Sequence, residues 1–378
     1  MNLTDQYPRL SEFGPLVIGD KTIPLPLVQG GMGVGISLAG LASAVANQGG
    51  VGVISAAYVH GTPRYAGKNL SSSEALRQEI RLARSLSDGA LGVNIMVALR
   101  DFEVLCKATA EEGADFIFAG AGLPLKLPEF IPASSSVKLV PIISSAKAAA
   151  LICRWWKEKH NRYPDAFVLE GPLAGGHLGF KPEQISDPAY RLENLLVEVL
   201  SFTRQLKESA GVEIPVIAGG GIYSGKDVHR FLSLGAAAVQ MSTRFVGTLE
   251  CDAPLPFKQA YINCKPEDLE IIHSPVGMPG RAIANPFVRS VEAGEKHPKA
   301  CRYHCIITCQ REQSPYCIAD ALLLSLSGDA SEGLIFAGAN AWKVTELVTV
   351  PQLMTTLDEE FAQAINNSVP ATERIKKA

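Results

Sequence analysis

The chain has 378 residues, of which 47% are hydrophobic and 19% charged, a composition typical of a globular protein. Its formal net charge of −3 gives no basic footprint for nucleic acid, so we expect no nucleic-acid partner. No apolar run reaches the roughly 18 residues of a membrane-spanning helix, and the first residues lack the basic start and apolar core of a signal peptide. We therefore expect a cytoplasmic protein with no membrane partner.

Short apolar segments alternate with longer amphipathic segments over the first 250 residues, which is the pattern of β/α units on a parallel sheet. Eight strands are predicted, at residues 25–29, 51–56, 91–97, 116–118, 139–143, 166–169, 215–218 and 238–241. Their near-continuous apolar character indicates strands covered on both faces. Helices are predicted between them, at residues 38–47, 72–86, 102–112, 146–159, 192–208 and 226–234. Eight such units favour a closed α/β fold, the (β/α)₈ TIM barrel, over an open sheet.

The alternation of predicted strands and helices ends after Met241. Residues 250–330 are rich in proline, carry four closely spaced cysteines and contain only short helical pieces, and a final amphipathic helix is predicted at 350–365. We expect one domain over residues 1–378, in which 250–330 is an irregular helical, cysteine-containing extension packed on the barrel.

Glycine-rich segments follow three of the predicted strands, at residues 30–35, 171–179 and 219–221. Barrel enzymes carry their active sites at the carboxyl ends of the strands, and glycine there lets a ligand approach the backbone. The ends of strands seven and eight are the usual phosphate site. Ser242 and Thr243 lie there and add two hydroxyl groups. Any single glycine-rich segment could serve tight packing alone, but three such segments at one rim favour a ligand-binding site.

Three polar residues at this rim are candidate functional residues. His177 follows two glycines on a strand-end loop and titrates near neutrality, which suits proton transfer; a structural histidine is the alternative. Asn94 and Glu170 interrupt apolar strands, where a polar side chain is costly unless it is satisfied. Each is expected to bond a ligand, or alternatively the backbone. No metal ligand is assigned at this rim.

Five motifs occur in order along the chain: PLVQGGMG (26–33), GVNI (92–95), AGGH (174–177), PVIAGGGI (215–222) and VQMSTRF (239–245). Together they resemble the nitronate monooxygenase family, formerly called 2-nitropropane dioxygenases, and the related FMN-dependent enoyl-acyl-carrier-protein reductases. The likeness covers residues 20–290. The ordered set is far more specific than any one motif.

The resemblance implies FMN as cofactor and a small-molecule substrate. The catalytic residue would be His177, matching the family's histidine. The cofactor-binding residues would be Gly30, Gly31, Met32, Asn94, Glu170, Gly175, Gly176, Gly220, Gly221, Gln240, Met241, Ser242 and Thr243. A homodimer is compatible with this class, although no pattern identifies an interface.

Four cysteines, Cys301, Cys305, Cys309 and Cys317, are spaced C-x₃-C-x₃-C-x₇-C. If the segment is helical, steps of four put the first three on one face, and four thiolates can hold an iron–sulfur cluster or zinc. The spacing matches neither a zinc knuckle nor a common ferredoxin run. A metal or cluster is therefore one hypothesis, and reduced structural thiols or a redox-labile pair are the others.

Three functions remain open from the sequence. The first is oxidation of alkyl nitronates by FMN and O₂ to a carbonyl compound and nitrite. The second is NAD(P)H-dependent reduction of an enoyl thioester, which Glu170 favours because many monooxygenase members carry Gln at this position. The third is a flavin redox module that turns over nothing.

Overall fold

The computed structural model describes residues 9–298, 300–327 and 330–368. Its main sheet has eight parallel strands, β1 (Leu27–Gln29), β2 (Gly52–Ser55), β3 (Leu91–Met96), β4 (Phe116–Gly120), β5 (Lys138–Ile143), β6 (Phe167–Glu170), β7 (Val216–Gly219) and β8 (Ala238–Met241). From β2 to β8 each strand pairs with the next, and β8 pairs with β1. Val28 of β1 bridges Val51 beside β2, and Val53 N donates to Gln29 Oε1 across the same seam at 3.0 Å. The predicted (β/α)₈ barrel is confirmed.

Seven long helices in the described part of the chain surround or close the barrel. They are Ala39–Asn47, Ser72–Leu86, Phe102–Glu111, Ala146–His160, Leu192–Ala210, Gly225–Ser233 and Val350–Ser368. Several begin where a serine side chain accepts a hydrogen bond from the first turn, as Ser71 does from Glu74 N, because that turn has no intrahelical acceptor. No helix in the described part of the chain is long and apolar enough to cross a membrane.

Alternation along the strands separates two apolar cores. One fills the barrel and includes Phe118, Val168 and Ala238; the other lies between the strands and the helices. A hairpin of Leu16–Ile18 and Lys21–Ile23 joins the inner core and covers one end of the barrel. Glu170 lies two residues after Val168, and Gln240 lies two after Ala238, so both side chains face inward at the open end. The site is therefore positioned by strand register.

The extension is more ordered than the sequence indicated. Strands Leu269–His273 and Pro279–Ile283 form an antiparallel hairpin, and the short strand Gly176–His177 joins its edge. The short α-helices among the described residues are Leu10–Phe13, Pro182–Ile185, Thr243–Val246, Leu255–Ile262, Pro286–Glu292 and Ile318–Leu324. The extension thus contributes directly to the loop that carries the predicted catalytic histidine.

Cys301, Cys305 and Cys309 do not share a helix face, because residues 301–309 form no helix. This segment instead lies against the end of β3: Arg100 N donates to Cys305 O, and Ile307 N donates to Ala98 O, each at 2.9 Å. Those pairings use backbone groups that a helix would need. Cys301 is exposed whereas Cys305 is buried, and no group of three metal-ligating side chains occurs among the described residues. An iron–sulfur cluster is unsupported.

Candidate active site

A cavity of about 200 Å³ lies at the carboxyl ends of the barrel strands. Eight of the predicted site residues line it: Gly31, Met32, Asn94, Glu170, Gly175, His177, Gln240 and Ser242. They come from β1, β3, β6, β8 and the loops that follow. Residues distant in sequence are brought together because the ends of parallel strands meet at one rim.

A smaller cavity of about 40 Å³ adjoins it at β7 and β8. It shares Glu170, Gln240 and Ser242 with the first and adds the predicted Gly220, Gly221 and Thr243. Gly220 has a φ of 94°, and a Cβ there would lie 2.7 Å from Gly171 O, so only glycine fits. The two cavities therefore adjoin along a wall formed by Glu170, Gln240 and Ser242.

Three predicted cofactor residues do not line these cavities. Gly30 N donates to Met241 O at 2.9 Å, and a Cβ on Gly30 would lie 2.5 Å from Ser242 Oγ. The Met241 side chain is 1% exposed and belongs to the outer core. Gly176, with a φ of 74°, pairs with Arg281. These three residues therefore lie outside the lining of both cavities.

His177 is held from two sides. Its Nε2 lies 2.7 Å from Ser274 Oγ, and the Phe336 ring contacts its ring in an edge arrangement at 4.9 Å. Ser274 is fully buried and also accepts from Val276 N at 3.3 Å. Burial lowers the pKa of His177 to about 4, so the imidazole is neutral at pH 7. Its Nδ1 has no partner within the described residues, yet it is not enclosed.

Glu170 lies at the mouth of the barrel, where burial raises its pKa to about 7. Neither its carboxyl group nor the Gln240 amide has a hydrogen-bond partner in the described part of the chain. Asn94 Nδ2 donates to Phe118 O at 3.3 Å, so this side chain both bonds the backbone and lines the cavity. Unpartnered polar groups facing a cavity are costly unless a ligand satisfies them.

Arg281 supports the loop between β6 and His177 from behind. Its Nη1 donates to Pro172 O and Ala174 O, each at 2.7 Å. The residue is 7% exposed, and burial lowers the pKa of the guanidinium to about 10. Because residue 281 also pairs with Gly176, one strand of the extension fixes both ends of this loop.

Sequence reasoning missed most of the apolar wall. The extension supplies Val276, Ile306, Ile318, Ala319 and Leu322. Phe336 comes from the segment that follows the extension, and Tyr58 comes from the loop after β2. Among these segments, only Ile318–Leu324 forms an apolar run whose sequence indicates a place in the cavity wall. Ser274 had no signal, because a lone serine before a proline predicts a turn.

A closed barrel with glycine loops, unpartnered polar groups and a half-buried neutral histidine at one rim is typical of an enzyme active site. A model of the family described as nitronate monooxygenase matches residues 15–360. The chain belongs to the nitronate monooxygenase family. FMN-dependent oxidoreductase chemistry is a general property of that family.

Individual relatives are more distant. (3aS,4S,5R,7aS)-5-hydroxy-7a-methyl-1-oxo-octahydro-1H-indene-4-carboxyl-CoA dehydrogenase of Mycobacterium tuberculosis is 27% identical over 271 residues, which are 72% of this chain and 66% of that protein. The match thus spans just under two thirds of that relative's length. A probable nitronate monooxygenase of Staphylococcus aureus is 28% identical over 309 residues, covering 72% of this chain and 79% of the relative. The solved structure of FabK from Thermotoga maritima has a TM-score of 0.70 at 26% identity, covering 91% of this chain and 95% of that one.

Proposed function

We propose that this chain is an FMN-dependent oxidoreductase that oxidises alkyl nitronates with O₂ to a carbonyl compound and nitrite. One observation carries the proposal: a half-buried, neutral imidazole lies on the wall of a cavity in which Glu170 and Gln240 have no hydrogen-bond partner among the described residues. That arrangement supplies a base for a carbon acid beside a cofactor site. Family membership and the relative in Staphylococcus aureus support the same reaction.

The residues present fit FMN. The larger cavity offers a wall free of Cβ atoms at Gly31 and Gly175, where a Cβ would overlap Asn94 and come 2.5 Å from Gly338 N, respectively. Asn94, Glu170 and Gln240 would bond the polar edge and ribityl chain. Gly220, Gly221, Ser242 and Thr243 would hold the phosphate, with Met32 beside the ring. Gly30, Gly176 and Met241 would act through backbone position. When bound, FMN supplies electron transfer, which no side chain here can perform.

His177 would manage the proton. Since Nε2 faces Ser274 Oγ, Nδ1 is the nitrogen left to accept a proton from a neutral nitroalkane, and Ser274 would hold the proton at Nε2. Accepting it creates an imidazolium that burial disfavours. The nitronate formed at the same moment is an anion, and its attraction compensates that cost. A preformed nitronate needs no such step.

A second candidate is oxidoreduction of an acyl thioester. A further cavity of about 240 Å³ also reaches Glu170 and His177, and apolar side chains such as Leu123, Ile143 and Met278 line it. This space could receive an acyl chain. The likeness to FabK and to a dehydrogenase whose name specifies a carboxyl-CoA substrate favours the same class.

Anaerobic mixing of the FMN-loaded protein with alkyl nitronate or with NADPH separates these functions. Nitronate-dependent oxygen uptake and nitrite release after air is admitted would support the first, with no rapid flavin bleaching by NADPH. Rapid bleaching by NADPH, followed by reoxidation with an enoyl thioester and not with nitronate, would support the second. Turnover of neither would contradict both and leave a flavin redox module.

A further inference from the structure

A separate cavity of about 240 Å³ lies beside the proposed active site. Tyr58 and Leu99 line both this cavity and the catalytic one. It is built where the loop after β2, the start of the Ser72–Leu86 helix and the segment around His304 come together. None of the residues assigned to FMN lines it, so it is a distinct space that shares part of its wall, Tyr58 and Leu99, with the catalytic cavity.

Its polar lining includes the nitrogen-bearing side chains of His60, Arg100 and His304. His60 Nδ1 is enclosed and has no hydrogen-bond partner. Arg100 forms no ion pair among the described residues, although its backbone N donates to Cys305 O at 2.9 Å. Arg100 is exposed, so its guanidinium can reach an anion in the cavity. A guanidinium is a preferred charge-assisted donor to phosphate.

The helix that begins at Ser72 contributes to the electrostatic environment of this cavity. It is 15 residues long, and its first amides have no intrahelical acceptor, so its start favours an anion. Glu74 is occupied there in capping, accepting from Ser71 N at 2.8 Å and Ser71 Oγ at 2.6 Å. One acidic residue, Asp101, lines the cavity. A carboxylate beside phosphate donors suits the hydroxyl groups of a ribose.

We propose that this cavity binds the phosphorylated ADP portion of a substrate, the chemistry that CoA thioesters and NADPH share. The reactive end of such a molecule would enter the catalytic cavity past Tyr58 and Leu99. The inference rests on the second candidate function, because an alkyl nitronate has no phosphate to place here. A nucleotide subsite would accordingly favour thioester oxidoreduction over nitronate oxidation.

Isothermal titration of the FMN-loaded, full-length protein tests the site without turnover. The probes are adenosine 3′,5′-bisphosphate for the CoA source and adenosine 2′,5′-bisphosphate for the NADPH source. We expect saturable binding of one probe, weakened about tenfold by Arg100→Met, since a charge-assisted hydrogen bond to phosphate is lost. The matched control is Arg302→Met, because Arg302 is exposed and does not line the cavity; it should change the affinity less than about twofold.

The stronger probe identifies the source. Absence of saturable binding of either probe by the parent protein would overturn the proposal. Equal weakening by Arg100→Met and Arg302→Met would also overturn it, because it would show general surface attraction. Binding that depends on Arg100 in a protein that turns over no thioester would keep the site and refute the function on which it rests.

Discussion

Replacing Glu170 by Gln removes a carboxyl group that burial keeps protonated to near neutral pH. The folded pKa is about 7, against a usual value of 4.5. Below pH 4.5 both folded and unfolded chains hold the proton, so the group has no net effect. Between pH 4.5 and 7 the unfolded chain releases its proton first, and stability falls as pH rises. Above pH 7 the folded chain bears the full free-energy cost of holding an ionised Glu170 in its buried position.

A difference of about 2.5 pKa units corresponds to about 3 kcal/mol. Because the carboxyl group faces a cavity open to solvent, screening reduces this, and we expect about 2 kcal/mol. Glu170→Gln should therefore stabilise the FMN-free protein by about that amount at pH 8 and change it little at pH 4.5. His177, whose pKa is lowered to about 4, costs stability as pH falls, but equally in both proteins, so it cancels.

Urea unfolding of both FMN-free proteins at pH 4.5 and pH 8, followed by tryptophan fluorescence, measures this difference. FMN is omitted because a bound ligand stabilises the folded state by mass action. An equal effect of the substitution at the two pH values would refute the burial argument, and so would a destabilisation at pH 8.

Three other substitutions test the support of the site. Ser274→Ala removes the partner of His177 Nε2 and should lower kcat/KM for neutral nitroalkanes about tenfold, with the flavin absorbance unchanged. Arg281→Met leaves two carbonyls without their donor; it should cost about 1–3 kcal/mol of unfolding free energy and weaken FMN binding measured by fluorescence quenching. Gly31→Ala places a Cβ against Asn94 and should abolish FMN retention while far-UV circular dichroism stays unchanged. Retained FMN in Gly31→Ala would contradict the assigned ring position.

The barrel could be predicted from sequence because its signals are local. Each strand is a short apolar run ended by glycine or a polar residue, and the observed bounds differ from the predicted ones by a few residues. Strand register also places Glu170 and Gln240 at the rim, since it decides which face of the strand a side chain occupies. The positions of both residues could therefore be predicted without knowledge of any long-range contact.

The support of His177 was not predictable in this way. The strand Gly176–His177 exists because it pairs with Pro279–Ile283, about a hundred residues later, and two residues give no pattern of their own. The cysteine spacing was misleading because it is a local pattern that tertiary contacts override. A period of four indicates a helix, but pairing with Ala98 and Arg100 holds the segment in an irregular path. Tertiary contacts decided both cases.

The base role of His177 is tested most directly by comparing kcat/KM of the parent protein and His177→Asn on a neutral nitroalkane and on its preformed nitronate. Asn retains a hydrogen-bond donor but cannot accept the proton. We predict a loss of at least about a hundredfold on the neutral nitroalkane and a far smaller loss on the nitronate. Equal losses on the two substrates would contradict proton abstraction by His177.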